Sequence, residues 1–152
     1  MLVLGVLGQA RKKINKMKTT IEWYKGVKFI AKTGSGNSIF MDGPVDSGGN
    51  NEGARPTELL ISGVGGCTSF DVITMANTKK IEIEKYFLEV EAYRPEEKLS
   101  KITTLHLIYN IKTKSFNKES LENIIKLSVK KQCSCCLILN ESVEITYELR
   151  MF

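Results

Sequence analysis

"RPTELLISGVGGCTSFDVI", Arg55 to Ile73, is the stretch on which the fold turns. Pro56 suits the first turn of a helix, where its missing N–H costs nothing. Glu58 favours the positive end of the helix dipole. The pattern predicts a helix running towards Lys79 or Lys80. Its apolar positions include Leu60, Ile61, Val64, Val72, Ile73 and Met75, nearly all round, which implies a buried helix. Three glycines, Gly63, Gly65 and Gly66, interrupt it beside Cys67, each costing a helix about 1 kcal/mol relative to alanine. Small residues let another backbone come close, and two cysteines bond only when their Cα atoms lie within about 7 Å. A glycine-lined notch beside Cys67 would admit a second thiol-bearing helix and a small oxidant. Glycine serves plain helix–helix packing equally well, and composition does not separate the two.

On the N-terminal side, "TIEWYKGVKFIAK" (Thr20 to Lys32) reads as a strand, with "NSIFMDG" as its hairpin partner across the "TGSG" turn. The glycine-rich "GPVDSGGNNEGA" that follows is a long loop of the kind that often carries function. On the C-terminal side, Tyr86, Leu88, Val90 and Ala92 alternate, as do Leu105, Leu107, Tyr109 and Ile111, with "RPEEKLS" as the turn between two strands. In "NKESLENIIKLSVKKQ", Asn117 is the expected N-cap of an amphipathic helix whose stripe is Leu121, Ile124, Ile125 and Val129. "CSCCLILNE" predicts a second, short helix. The last strand puts Val143, Ile145, Tyr147, Leu149 and Met151 on one face. The order ββαββααβ favours an α+β fold with largely antiparallel strands and helices covering one face. A partner subunit could cover the excess apolar surface of the long helix.

The chain has 152 residues, with a hydrophobic fraction of 42%, a charged fraction of 26% and a formal charge of +5. These are the proportions of one globular domain. Five basic residues, Arg11, Lys12, Lys13, Lys16 and Lys18, fall before Thr19 with no acidic residue among them. The remaining 17 basic residues balance 17 acidic ones, so the rest is neutral and offers no built-in nucleic-acid face. The first 16 residues are expected to be an extension, possible either as an amphipathic anchor or as a misassigned start, with residues 17–152 a single domain. Charges follow the apolar part of that extension instead of preceding it, unlike a signal peptide. No apolar run approaches the roughly 20 residues that span a bilayer. A cytoplasmic, non-membrane protein is expected, with its four cysteines resting as thiols.

Cys67 lies in the long helix; Cys133, Cys135 and Cys136 cluster near the short one. A free cysteine is often only a small buried hydrophobe. Cys133 and Cys136 form a C-x-x-C pair, but it follows a helix, whereas a thioredoxin-like pair follows a strand. A zinc site needs four ligands, and adjacent Cys135 and Cys136 do not face one metal from a regular helix. The sole histidine, His106, lies on the strand face opposite Leu105 and Leu107 and is expected to be exposed.

Three pieces, "FMDG", "RPTELLISGVGGCTSFDVI" and "LSVKKQCSCCLILNESVEIT", resemble the OsmC/Ohr family of thiol-dependent hydroperoxide reductases, in its OsmC-like branch. The resemblance runs from about Met17 to the C-terminus. It implies an OsmC-like fold around a long central helix, and an intertwined homodimer with two sites at the interface. It also implies a chemistry: Cys67 attacks the O–O bond of an organic hydroperoxide and becomes a sulfenic acid. Cys133, 66 positions on, condenses with it to a disulfide. A dithiol of the lipoyl type resets the pair, with no metal or other cofactor. Peroxidase branches of the family activate the first cysteine with an arginine held by a glutamate directly after the motif proline. This chain has Thr57 at that position and a carboxylate one residue later, at Glu58. On an unbroken helix Glu58 and Cys67 lie about 900° and about 13.5 Å apart. The candidate cations are Arg55 and Arg94; Lys130 and Lys131 precede Cys133. The departure at Thr57 keeps open a non-catalytic alternative, an oxidant sensor or a binder of small apolar ligands in the same cleft. Cys135 and Cys136 lie outside the family pattern, and one of them is a candidate alternative resolving thiol.

Overall fold

The structure is a computed structural model that describes residues 16–96, 100–115 and 117–152. The expected extension therefore falls almost wholly outside the described residues. The described residues form two compact units, one ending at Pro56 and the other beginning at Thr57.

In the first unit, β1 (Thr19–Lys25), β2 (Lys28–Thr33) and β3 (Ser38–Met41) form an antiparallel sheet in that order. The single strand expected over Thr20 to Lys32 is thus a hairpin. It turns at Gly26, whose φ of +55° is strained for any residue with a Cβ. The glycine-rich loop is organised around buried Asp42. Its carboxylate accepts the backbone N–H groups of Gly43 (2.8 Å), Asn50 (2.9 Å) and Glu52 (3.1 Å). Burial pushes the Asp42 carboxyl up, but these three donors outweigh it and hold the group below its ordinary range.

The second unit holds the core. Helix α1 (Pro56–Thr78) is continuous through its three glycines. It leads to β4 (Ile83–Tyr93) and β5 (Thr104–Thr113). The chain continues through α2 (Lys118–Leu127), a π-helical turn (Ser128–Gln132), α3 (Ser134–Leu139) and β6 (Glu144–Met151). β4 and β5 pair antiparallel, and β6 joins the other edge of β5 in parallel. The parallel edge departs from a purely antiparallel sheet, and its cause is the helical connection. A strand that returns through a long helical crossover comes back in its original direction. Leu105, Leu107, Tyr109 and Ile111 of β5 pack with Val64, Val72 and Ala76 of α1 and Leu121, Ile124 and Ile125 of α2 in one buried cluster. Asn117 does occupy the position before α2, but its side chain donates back to Ser115 and makes no cap bond.

Two expectations about α1 need correction. It is a 23-residue helix with a mean hydropathy of 1.5 over its apolar window, so by length and composition it is apolar enough to cross a membrane. In this fold it is a core helix that buries one stripe: Val64, Gly65, Thr68, Val72 and Ala76. Its other faces are open in the single chain, with Leu60 49% and Phe70 73% exposed. Among the glycines, Gly65 alone meets a packing demand: a Cβ there would lie 3.0 Å from Val90 Cγ2 of β4. At Gly63 and Gly66 a Cβ would meet nothing within 4 Å. The notch therefore seats the helix on the sheet; it does not admit the second cysteine helix.

Candidate functional site: a cluster of thiols between two helices

The sequence of α1 places Cys67 beside the buried stripe, and the residue stands half-buried. Across from it, the π-helical turn ends at Cys133, whose backbone leaves the helical region (φ −64°, ψ 106°) and becomes the N-cap of α3. The Cys133 sulfur accepts the Cys136 N–H at 3.3 Å. The Cys67 sulfur lies near the start of α3, close enough to the Cys135 N–H and to the thiols of Cys133 and Cys135 for each to favour its thiolate. The first-turn N–H groups of α3, which a helix cannot satisfy internally, thus face sulfur. Cys135 is half-buried beside Cys67, while Cys136 is fully buried next to Cys133. All four cysteines are thiols.

This arrangement sets the order of ionisation. Burial pushes the Cys67 thiol up, but the Cys135 N–H and the two neighbouring thiols stabilise its thiolate and carry it below the ordinary thiol value. Asp71, one turn along α1, opposes that ionisation. Cys133 moves the other way, chiefly through burial. Cys135 is pushed up to about 11, first by burial and then by the charge and hydrogen bond of Cys67. Of the cluster, Cys67 is the sulfur that ionises first, with Cys133 and Cys135 stabilising its thiolate.

A buried hydroxyl chain fixes the two cysteine segments to each other. Ser128, the first residue of the π-helical turn, donates to Asp71 Oδ2 at 2.9 Å. Its single proton is then spent, so Thr68 Oγ1 must donate to Ser128 Oγ (2.9 Å) and Tyr109 OH to Thr68 Oγ1 (2.6 Å). Burial raises the Tyr109 phenol, which keeps it a donor. The Ser128 carbonyl in turn accepts the Cys133 N–H at 2.9 Å. Thr68, Asp71, Tyr109 and Ser128 were not singled out from the sequence. Thr68 lies four residues from both Val64 and Val72, and Ser128 lies four after Ile124. A polar residue inside a buried stripe was the available signal.

The other candidates stand on different elements. Arg55 belongs to the first unit, where it donates to the Asp42 and Gly53 carbonyls (3.5 and 3.4 Å) and to Asn51 Oδ1. Glu58 is exposed on the first turn of α1. Because α1 is unbroken, it stays about 13.5 Å along the axis from Cys67. Arg94 is exposed just beyond β4, and Lys130 and Lys131 are exposed on the π-helical turn. His106 is half-buried, not exposed, with Nδ1 2.7 Å from Thr146 Oγ1. Among the described residues no group of three or more His, Cys, Asp or Glu side chains is arranged to hold a metal ion. An open groove of about 360 Å³ runs along Ile61, Gly65, Gly66 and Ser69 of α1 and Leu88 and Val90 of β4.

A family model described as OsmC-like protein matches residues 48–148, and the chain belongs to that family. Among curated relatives, Protein YhfA of Escherichia coli is 26% identical over 131 residues, covering 86% of this chain and 95% of YhfA. Among solved structures, the OsmC-like protein of Mycoplasma pneumoniae superposes with a TM-score of 0.75 at 20% identity, covering 90% of this chain and 97% of that one. The organic hydroperoxide resistance protein OhrB of Bacillus subtilis does so with a TM-score of 0.65 at 19% identity, covering 90% and 98%. At these identities the structures share the fold.

Proposed function

We propose that this OsmC-like chain reduces organic hydroperoxides by cysteine chemistry, with Cys67 as the attacking thiolate and Cys133 as its resolving thiol. The observation that carries this is the closeness of the half-buried Cys67 to the buried Cys133: each bears on the other's ionisation, and Cys67 is the more acidic thiol. The Cys67 thiolate attacks one oxygen of ROOH; an S–O bond forms as the O–O bond breaks, and the alkoxide leaves as ROH after taking a proton. Cys67 is then a sulfenic acid, oxidised by two electrons. The Cys133 sulfur attacks it, forming the S–S bond and expelling hydroxide, which departs as water with the Cys133 proton. An external dithiol of the lipoyl type returns the two electrons by exchange. Fold kinship with a hydroperoxide resistance protein agrees with the substrate class. The half-exposed α1 faces suit burial in a homodimer, and four free thiols suit the reducing cytoplasm.

A second reading, an oxidant sensor that is oxidised once without cycling, is favoured by one observation: Thr57 stands where the peroxidase branches carry a glutamate. The two separate by experiment. Purified protein given cumene hydroperoxide and dihydrolipoamide turns over many equivalents if it is an enzyme, and Cys67→Ser abolishes this. A single stoichiometric oxidation supports the sensor.

A further inference from the structure

The site holds a third sulfur in contact with Cys67, and it differs from Cys133 in access. Cys133 is fully buried, whereas Cys135 is half-buried, like Cys67 itself. The two thiols on α3 that remain, Cys135 and Cys136, diverge. The first lies beside Cys67, half-buried, and the second turns into the core, where its N–H donates to the Cys133 sulfur. A disulfide between Cys67 and Cys133 would bury one of its sulfurs away from any external dithiol, and thiol–disulfide exchange requires access to a sulfur.

We infer that Cys135 is a second, outward partner for Cys67, which takes over the disulfide from Cys133 and presents it for reduction. The inference rests on Cys67 being the oxidised thiol of the proposed function. In the exchange, the Cys135 thiolate attacks the Cys67 sulfur of the Cys67–Cys133 bond. The Cys67–Cys135 bond forms, and Cys133 leaves as a thiolate that takes up the proton Cys135 gave up. No electrons are gained or lost in this step. The reductant then attacks the half-buried bond. Timing is built into the cluster. In the reduced protein burial and the Cys67 thiolate together keep Cys135 protonated. Once Cys67 is in a disulfide its charge is gone, so the second of those restraints is lifted and Cys135 ionises more readily.

The test uses Cys133→Ser, in which serine, a good N-cap, still caps α3. The variant and the wild type are oxidised separately with diamide, a diazene that couples thiols directly, and with cumene hydroperoxide. Disulfides are mapped by alkylation and peptide mass spectrometry. Diamide is expected to produce the Cys67–Cys135 bond in both proteins. Its absence from both, with melting temperatures unchanged, would overturn the inference. If diamide forms the bond and hydroperoxide leaves wild-type thiols intact, the hydroperoxide reading falls while the pairing stands. In Cys135→Ser the Cys67–Cys133 bond should still form, but dihydrolipoamide should reduce it more slowly than in the wild type, since only one of its two sulfurs can be reached. An unchanged reduction rate would overturn the handover.

Discussion

At the scale of single residues, reactivity follows from which sulfur in the cluster carries the charge. Cys67 gains its acidity from its nearness to an N–H at the start of α3 and to two thiols, against the opposing effects of burial and Asp71. A thiol reacts as its thiolate. Alkylation of Cys67 by iodoacetamide should therefore rise with pH along a titration curve whose midpoint lies below that of an ordinary thiol. Cys135→Ala removes one thiol donor and should move that midpoint upward; a midpoint that stays put would mean the Cys135 thiol contributes nothing. The acidity was invisible in the sequence because the residues supplying it are 66 to 68 positions away. Sequence reasoning looked for a cation at Arg55 or Arg94 and did not foresee that thiols and a helix N–H could do part of that work.

The elements bring those residues together through one unusual feature, the π-helical turn between α2 and α3. Single π turns are uncommon and recur at functional sites. Here the turn ends at Cys133 and begins at Ser128, which is pinned by Thr68 and Asp71 on the same helix as Cys67. Ser128→Ala removes the middle of the hydroxyl chain and leaves buried Thr68 short of an acceptor. It should cost about 1–3 kcal/mol of stability, read as a lowered melting temperature. Formation of the Cys67–Cys133 bond after oxidation should slow with it. Loss of stability with an unchanged rate would make the chain a packing feature only. The helices themselves were legible from period and from Pro56, and the α2 stripe was read in full. The turn was not, because its extra residue is fixed by tertiary hydrogen bonds that no local pattern encodes. The Gly26 hairpin was missed for a different reason: apolar residues on both sides of it read as one strand.

For the molecule as a whole, the α+β class and the long helix could be read from the chain because hydrophobic periods set the elements and their order sets the layers. The parallel edge at β6 follows from the helical crossover once α2 and α3 are counted as its connection. What one chain cannot complete is the surface of α1, where Leu60 and Phe70 stand in the open on an apolar helix. If two copies cover these faces, sedimentation should give a dimer at micromolar concentration, and Phe70→Asp should shift it towards monomer. A wild-type monomer would contradict the dimer. The proposed function depends on Cys67 passing electrons from an external dithiol to a hydroperoxide. The most direct measurement is the steady-state consumption of cumene hydroperoxide with dihydrolipoamide by wild type and by Cys67→Ser. Continued turnover in the first and none in the second is the expected result; equal consumption by the two proteins would contradict the account.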